Sequence, residues 1–296
     1  MGELSQPPEK AISWTTNPVN ALWFANRSGC GTRLLVAHVQ PEQVVAYLPA
    51  FRNENEVVVK PGSIKEFHSE DMIPATEEYV PAMLIPTTLD FMRYSSVAKK
   101  LGYPIETPFQ FHGLKHIFRV LLLSLIYFYN SGDCLTEADK EILIYFSLLH
   151  DIERDSEDVD GSHGEKSVQW IRSKGFRLGG MHLSRKEYRM AELLIAYHCL
   201  DDEIGNEAIQ SISGFSDAEK KRLCRLYAIA KDMDGLDRVR FNGLDYRMLR
   251  TQYGRRLPLV AGCLLEEPLL EKLCTSDWDE SASALTKRKG EGSHEG

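Results

Sequence analysis

The sequence predicts a mainly α protein, a helical bundle preceded by a small α+β or β-rich module at the N-terminus. Three observations predict it. From Leu89 to about residue 275, apolar residues recur at helical spacing in segments bounded by cap residues and glycines. Ahead of them, the first 65 residues carry short β-branched runs punctuated by proline and glycine. Between the two, Ser63 to Thr88 holds Pro74, Pro81 and Pro86 with little apolar periodicity. The expected organisation is a module over 1–65, a linker over 66–88, an all-α domain over 89–275 and a polar tail over 276–296.

In the module, Ser13 to Thr16 reads as a strand, Pro18 to Ala25 as a helical turn and Arg33 to Val39 as a strand. Pro41 to Tyr47 is expected to start a helix at its proline. Glu56 to Val59 is a β-branched strand ended by Pro61-Gly62. Leu89 to Leu101 is amphipathic and stops at Gly102 before Pro104. Gly113 to Tyr129 is a long apolar helix. Thr136 to His150 opens with Thr136 as cap and Asp139 in the place of the usual glutamate. Helices over His163 to Ser173, Ser184 to His198 and Ser216 to Asp232, and a helical patch after Leu257, complete the set.

At 296 residues, with 43% apolar and 26% charged residues, the chain has the make-up of a globular protein of one or two domains. A net charge of −8 argues against a broad basic face, so nucleic acid is not the expected main partner. The six cysteines show no CxxC spacing and no apolar leader is read, which points to a reducing, cytoplasmic setting. Val120 to Tyr129 falls well short of the roughly 20 residues of a membrane span, so no membrane association is expected. Nothing in the pattern excludes a homo-oligomer.

One stretch concentrates metal-capable groups: Leu148 to His163, LLHDIERDSEDVDGSH. It sets His150-Asp151 at the end of an apolar helix, follows them with acids and closes on His163. His112 and His116, four residues apart, share a helix face if the helix includes both. His198 ends the apolar helix AELLIAYH, and Asp232 and Asp234 follow the apolar run LCRLYAIA, where a buried carboxylate needs a partner or an ion. Imidazole with carboxylate suits Mn, Fe, Co, Ni or Zn better than Ca.

The order H, HD, D, with His116 in an HxxRV context, His150-Asp151 at a helix end and Asp234 in DxDxLDRVR, resembles the HD-domain metal-dependent phosphohydrolase superfamily over about residues 110–240. That resemblance implies an HD-type bundle holding a metal through His116, His150, Asp151 and Asp234, with Asp232 and His112 as the alternatives in register. His163, in HGEKSVQWI, and His198 resemble the extra histidines of binuclear members. The cofactor implied is thus one or two divalent ions, Mn, Fe, Co, Ni or Zn, with Mg also admitted.

The reaction implied is hydrolysis of a phosphoester or phosphoanhydride of a nucleotide or related small molecule by a metal-activated water. Arg154, Lys166 and Arg238 are the expected phosphate-binding cations, with Arg119 and Arg240 also flanking proposed ligands. Arg154 is placed best, three residues after Asp151. Of the acids, Glu153 and Asp155 are the candidate participants, and Glu157, Asp158 and Asp160 read as a solvated loop. A nucleotide- or metal-sensing regulatory protein, and a diiron oxygenase of the same superfamily, are the alternative expectations.

The N-terminal segments SWTTNPVNALWFA, RLLVAHV, PEQVVAY and ENEVVVKPGSI resemble the latter half of an ADP-ribosyltransferase-like domain. The resemblance places Ser13, Thr15 and Thr16 on a strand that braces a nucleotide pocket and Glu56 at a late acidic position. The earlier strand bearing arginine or histidine has no counterpart here, so packing or ligand binding is the expected role.

Overall fold

The computed structural model describes residues 8–27, 31, 33–49, 54–76, 78–104, 112–154 and 161–265. The chain is mainly helical, with a small antiparallel sheet near its N-terminus. It divides into two compact units, one made of Met1–Val80 with Arg238–Glu266, the other described over Pro81–Asp237. Among the described residues, no helix is long and apolar enough to cross a membrane.

In the first unit, β1 (Ser13–Thr15), β4 (Glu56–Val59) and β3 (Val44–Leu48) form an antiparallel sheet in the order β1-β4-β3, with Ser13 opposite Val58 and Thr15 opposite Glu56. Ser13 Oγ donates to Glu56 Oε1 at 2.5 Å, so the serine and the late glutamate singled out in the sequence are neighbours. Helix α1 (Pro18–Asn26) starts at its proline, with Asn17 Oδ1 accepting from Val19 N at 2.9 Å. β2 (Leu35–Val36) pairs with β5 (His68–Ser69) and is shorter than the expected strand. The expected helix over Pro41 to Tyr47 is corrected: the proline starts one 3-10 turn, Pro41–Gln43, and the chain then extends as β3. Val44, Val45 and Tyr47 are strand formers, and pairing with β4 outweighs the start signal.

The segment expected as a linker carries β5, then α2 (Tyr79–Leu84) and a 3-10 turn, Ile85–Thr87. The second unit continues through α3 (Thr88–Ala98), α4 (Leu114–Asn130), α5 (Glu137–Leu149), α6 (His163–Lys174), α7 (Arg185–Tyr197), α8 (Asp202–Ser211) and α9 (Asp217–Leu236). α10 (Pro258–Cys263) belongs to the first unit. Helix α4 is buried on every side from His116 to Tyr127, which makes it a core helix packed by α3, α5 and α9. α8 has no forerunner in the sequence reading; only Gly205 and Ile209 of it are buried, too sparse a pattern to register.

What positions the site is a common design in α5, α7 and α9. Each opens with a reciprocal capping box, Thr136/Asp139, Ser184/Glu187 and Ser216/Glu219. The N3 acids are tied together: Arg222 of α9 donates to Asp139 at 2.7 Å and to Glu187 at 3.3 Å, and Lys186 to Glu219 at 2.8 Å. These bonds hold three helix starts side by side. Eleven residues separate Asp139 from His150 and Glu187 from His198, and twelve separate Arg222 from Asp234. At 1.5 Å per residue each span is about 17–18 Å, so helices aligned at one end deliver their metal-capable residues to one level at the other.

Candidate metal centre

Every donor lies at or near a helix end. His116 is in the first turn of α4, His150 caps the C-terminus of α5 and Asp151 follows it. His163 is the first residue of α6, His198 caps the C-terminus of α7, and Asp234 lies in the last turn of α9. His150 keeps helical dihedrals, so it and the adjacent Asp151 leave the backbone about 100° apart, and their side-chain atoms converge from two directions to 3.7 Å. Ser167 of α6 locks that turn: its Oγ donates to His150 O at 3.0 Å and accepts from Glu153 N at 3.3 Å.

The donors form two sets that share Asp151. In the first, His116 Nε2 lies 3.1 Å from His150 Nε2, 3.5 Å from Asp151 Oδ2 and 3.4 Å from Asp234 Oδ1. His150 Nε2 is 3.7 Å from both Asp151 Oδ2 and Asp234 Oδ1. In the second, His163 Nε2 lies 2.9 Å from His198 Nε2, and Asp151 Oδ1 is 3.3 Å and 3.6 Å from the two. One carboxylate thus turns Oδ2 to one set and Oδ1 to the other.

These spacings fit a divalent ion. With metal–ligand bonds of about 2.1 Å, the edges of a coordination polyhedron measure about 3.0 Å if octahedral and about 3.4 Å if tetrahedral. Outer hydrogen bonds aim the lone pairs inward. His116 Nδ1 donates to Asp237 Oδ2 at 2.7 Å and His198 Nδ1 to Ile195 O at 2.7 Å, which leaves Nε2 of each neutral ring as an acceptor. Asp151 Oδ1 is buried with no hydrogen-bond partner although imidazole nitrogens surround it. Lone pairs converging at such range repel unless a cation lies between them, and the carboxylates of Asp151 and Asp234 at helix C-termini also call for positive charge. The buried His and Asp groups can therefore hold a metal ion.

Burial alone would raise the Asp151 carboxyl, but His150, His112, His116 and His163 outweigh it and hold the group well below the usual range. At Asp234 burial is likewise opposed by His116 and His150, with the same net direction. The Asp234 side chain is 31% exposed, against 2% for Asp151, so the first set is the one that meets solvent.

Asp237 is a residue that sequence reading missed. Besides His116 it holds Arg119, whose Nε donates to Oδ1 at 2.5 Å and Nη2 to Oδ2 at 3.1 Å, so a guanidinium inside the apolar helix α4 is paired and anchored. A signal existed: Asp237 stands three residues after Asp234, on the same helical face. Asp232 is fully buried, two positions from Asp234 and so about 200° round the helix. It is Asp234 that reaches His116 and His150. His112 Nδ1 lies 2.8 Å from Asp151 Oδ2, beside His116 rather than in its place.

Gly164 explains the close meeting of α6 and α7. A Cβ there would lie 2.3 Å from Ile195 O and 2.9 Å from Ala196 O, so only glycine lets the start of α6 rest on the end of α7. Gly164→Ala is expected to destabilise the fold by about 1–3 kcal/mol in denaturant titration and to weaken metal binding by His163 and His198 while the set around His116 survives.

Among the expected phosphate-binding residues, Arg154 Nη1 lies 3.3 Å from His163 Nε2 and 3.8 Å from Asp151 Oδ1. Lys166 is half-buried in the first turn of α6, three residues after His163. Glu153 and Arg238 are exposed. Asp155, Glu157, Asp158 and Asp160 lie outside the described residues. Comparison with family models, with curated proteins and with solved structures finds no match to the chain.

Proposed function

We propose that the helical unit is an HD-type phosphohydrolase that cleaves a phosphoester or phosphoanhydride of a nucleotide or related small molecule. The observation that carries the reading is the pair of donor sets joined through the two oxygens of Asp151. His116, His150, Asp151 and Asp234 would hold one ion, and His163, His198 and Asp151 a second. When bound, such ions neutralise phosphate charge and lower the pKa of a water to the neutral range. Asp151 fixes the two positions relative to each other. Asp237 and Ile195 O orient two of the imidazoles, and the exposure of Asp234 leaves the first position open to substrate. Arg154, whose Nη1 lies 3.3 Å from His163 Nε2 and 3.8 Å from Asp151 Oδ1, supplies a fork for non-bridging phosphate oxygens.

The test is metal analysis of the purified protein coupled to hydrolysis assays on nucleotides and dinucleoside polyphosphates with Mn, Fe(II) or Co. Two ions per chain and release of a phosphorylated product are expected. Metal content no higher than in a His150→Ala, Asp151→Ala double variant removes the proposal. Substrate consumption that requires oxygen reassigns the centre to oxygenase chemistry, and nucleotide binding without product assigns it to sensing. Arg154→Ala is expected to lower kcat/KM by about tenfold or more with metal content unchanged.

A further inference from the structure

The two donor sets are unequal. The first supplies four protein groups, two nitrogens and two oxygens, from His116, His150, Asp151 and Asp234. The second supplies two nitrogens and one oxygen, from His163, His198 and Asp151. Beside that second set lies a thiol. His163, His198 and Cys199 each offer a ligand atom, and the three atoms lie within 4.8 Å of one another. On the same set, Asp151 Oδ1 is the buried oxygen with no hydrogen-bond partner.

Resting on the two-ion reading above, we infer that Cys199 is the fourth protein ligand of the ion held by His163, His198 and Asp151, and that its sulfur makes this position selective for a thiophilic divalent ion, zinc or ferrous iron, over manganese or magnesium.

Chain geometry favours it. Cys199 follows His198 where α7 ends, as Asp151 follows His150 at the end of α5, and in both pairs the ligand atoms of neighbouring residues come close together. The thiol donates to Gly161 O at 3.2 Å, which ties the sulfur to the segment leading into His163. Zinc bonds of about 2.3 Å to sulfur and about 2.1 Å to nitrogen set a sulfur–nitrogen edge near 3.6 Å in a tetrahedron. From within 4.8 Å, a shift on the order of 1 Å at most brings the sulfur to that distance. The thiol–carbonyl bond to Gly161 is weak. On coordination the sulfur–hydrogen bond is exchanged for a sulfur–metal bond, with no change of oxidation state, and the proton leaves to solvent. Thiolate with imidazole prefers zinc or iron, whereas the first set, with two carboxylates and no sulfur, takes harder ions as well.

Cobalt(II) titration of the full-length protein tests this, because a thiolate ligand gives a sulfur-to-cobalt charge-transfer band in the near ultraviolet that nitrogen and oxygen ligands do not. Wild type is expected to bind two equivalents and to show the band. Cys199→Ser and Cys199→Ala are expected to lose it while keeping the visible ligand-field bands, and Cys134→Ser and Cys224→Ser to retain it. Zinc affinity of the second position should fall about tenfold or more in Cys199→Ser, with manganese affinity little changed. Two bound cobalt ions without the band, or a band that persists in Cys199→Ser, overturns the role of Cys199 alone. No cobalt binding beyond that of the His150→Ala, Asp151→Ala variant overturns this inference and the two-ion reading together.

Discussion

On the proposed two-ion reading, Asp151→Asn is expected to strip both ions from the protein, taking metal content from two per chain to well below one and lowering hydrolysis at least about a hundredfold. Asp151 faces both donor sets, through Oδ2 toward His116 and through Oδ1 toward His163 and His198. The amide keeps the shape but carries no charge and puts an NH2 group where one of the two oxygens was. It cannot accept on both sides. His198→Ala is the control, since it removes a donor from one set only and should leave about one ion bound. Equal metal loss in the two variants would show that the sets are not joined through Asp151.

The second large effect is expected at Asp237, which touches no proposed ion. Asp237→Asn should weaken binding of the first ion about 10–100-fold, because the carboxylate that orients His116 and raises its basicity is gone. Asp237→Ala should also destabilise the fold by about 3–5 kcal/mol, since Arg119, only 4% exposed, loses its two-pronged partner. Arg119→Met combined with Asp237→Leu should recover part of that stability without the metal affinity. Denaturant titration and metal titration of the three variants separate the two roles; affinity that returns along with stability would show Asp237 to be structural only.

Much of this centre is legible in the chain because its donor residues mark helix ends, and helix ends leave local signals. The Thr136/Asp139 box and the apolar run after it place His150-Asp151 at the end of a helix from local pattern alone. Helix phase is harder. Asp232 and Asp234 both follow an apolar run, and periodicity does not choose between them; the LDRVR context favours Asp234, and the packing of α9 brings Asp234 to His116. Asp237 escapes because it acts through His116 and Arg119, and Cys199 because a thiol beside one histidine forms no spaced motif. Pro41 misleads because a helix-start residue is followed by β-branched neighbours with a partner strand waiting. Least legible is the joining of 238–266 to the first 80 residues. Contacts such as Ile73 N to Arg256 O at 2.7 Å link positions far apart in the chain and have no local correlate.

Helix termini are where backbone hydrogen bonds open first, since the last turn has no further turn to hold it. With donors on the closing residues of α5, α7 and α9 and the opening ones of α4 and α6, ion binding would tie five such termini into one knot. The ions then serve as a common fastener against fraying. Chelation should speed amide hydrogen exchange at these five ends together, while the capped ends around Asp139, Glu187 and Glu219 keep their protection.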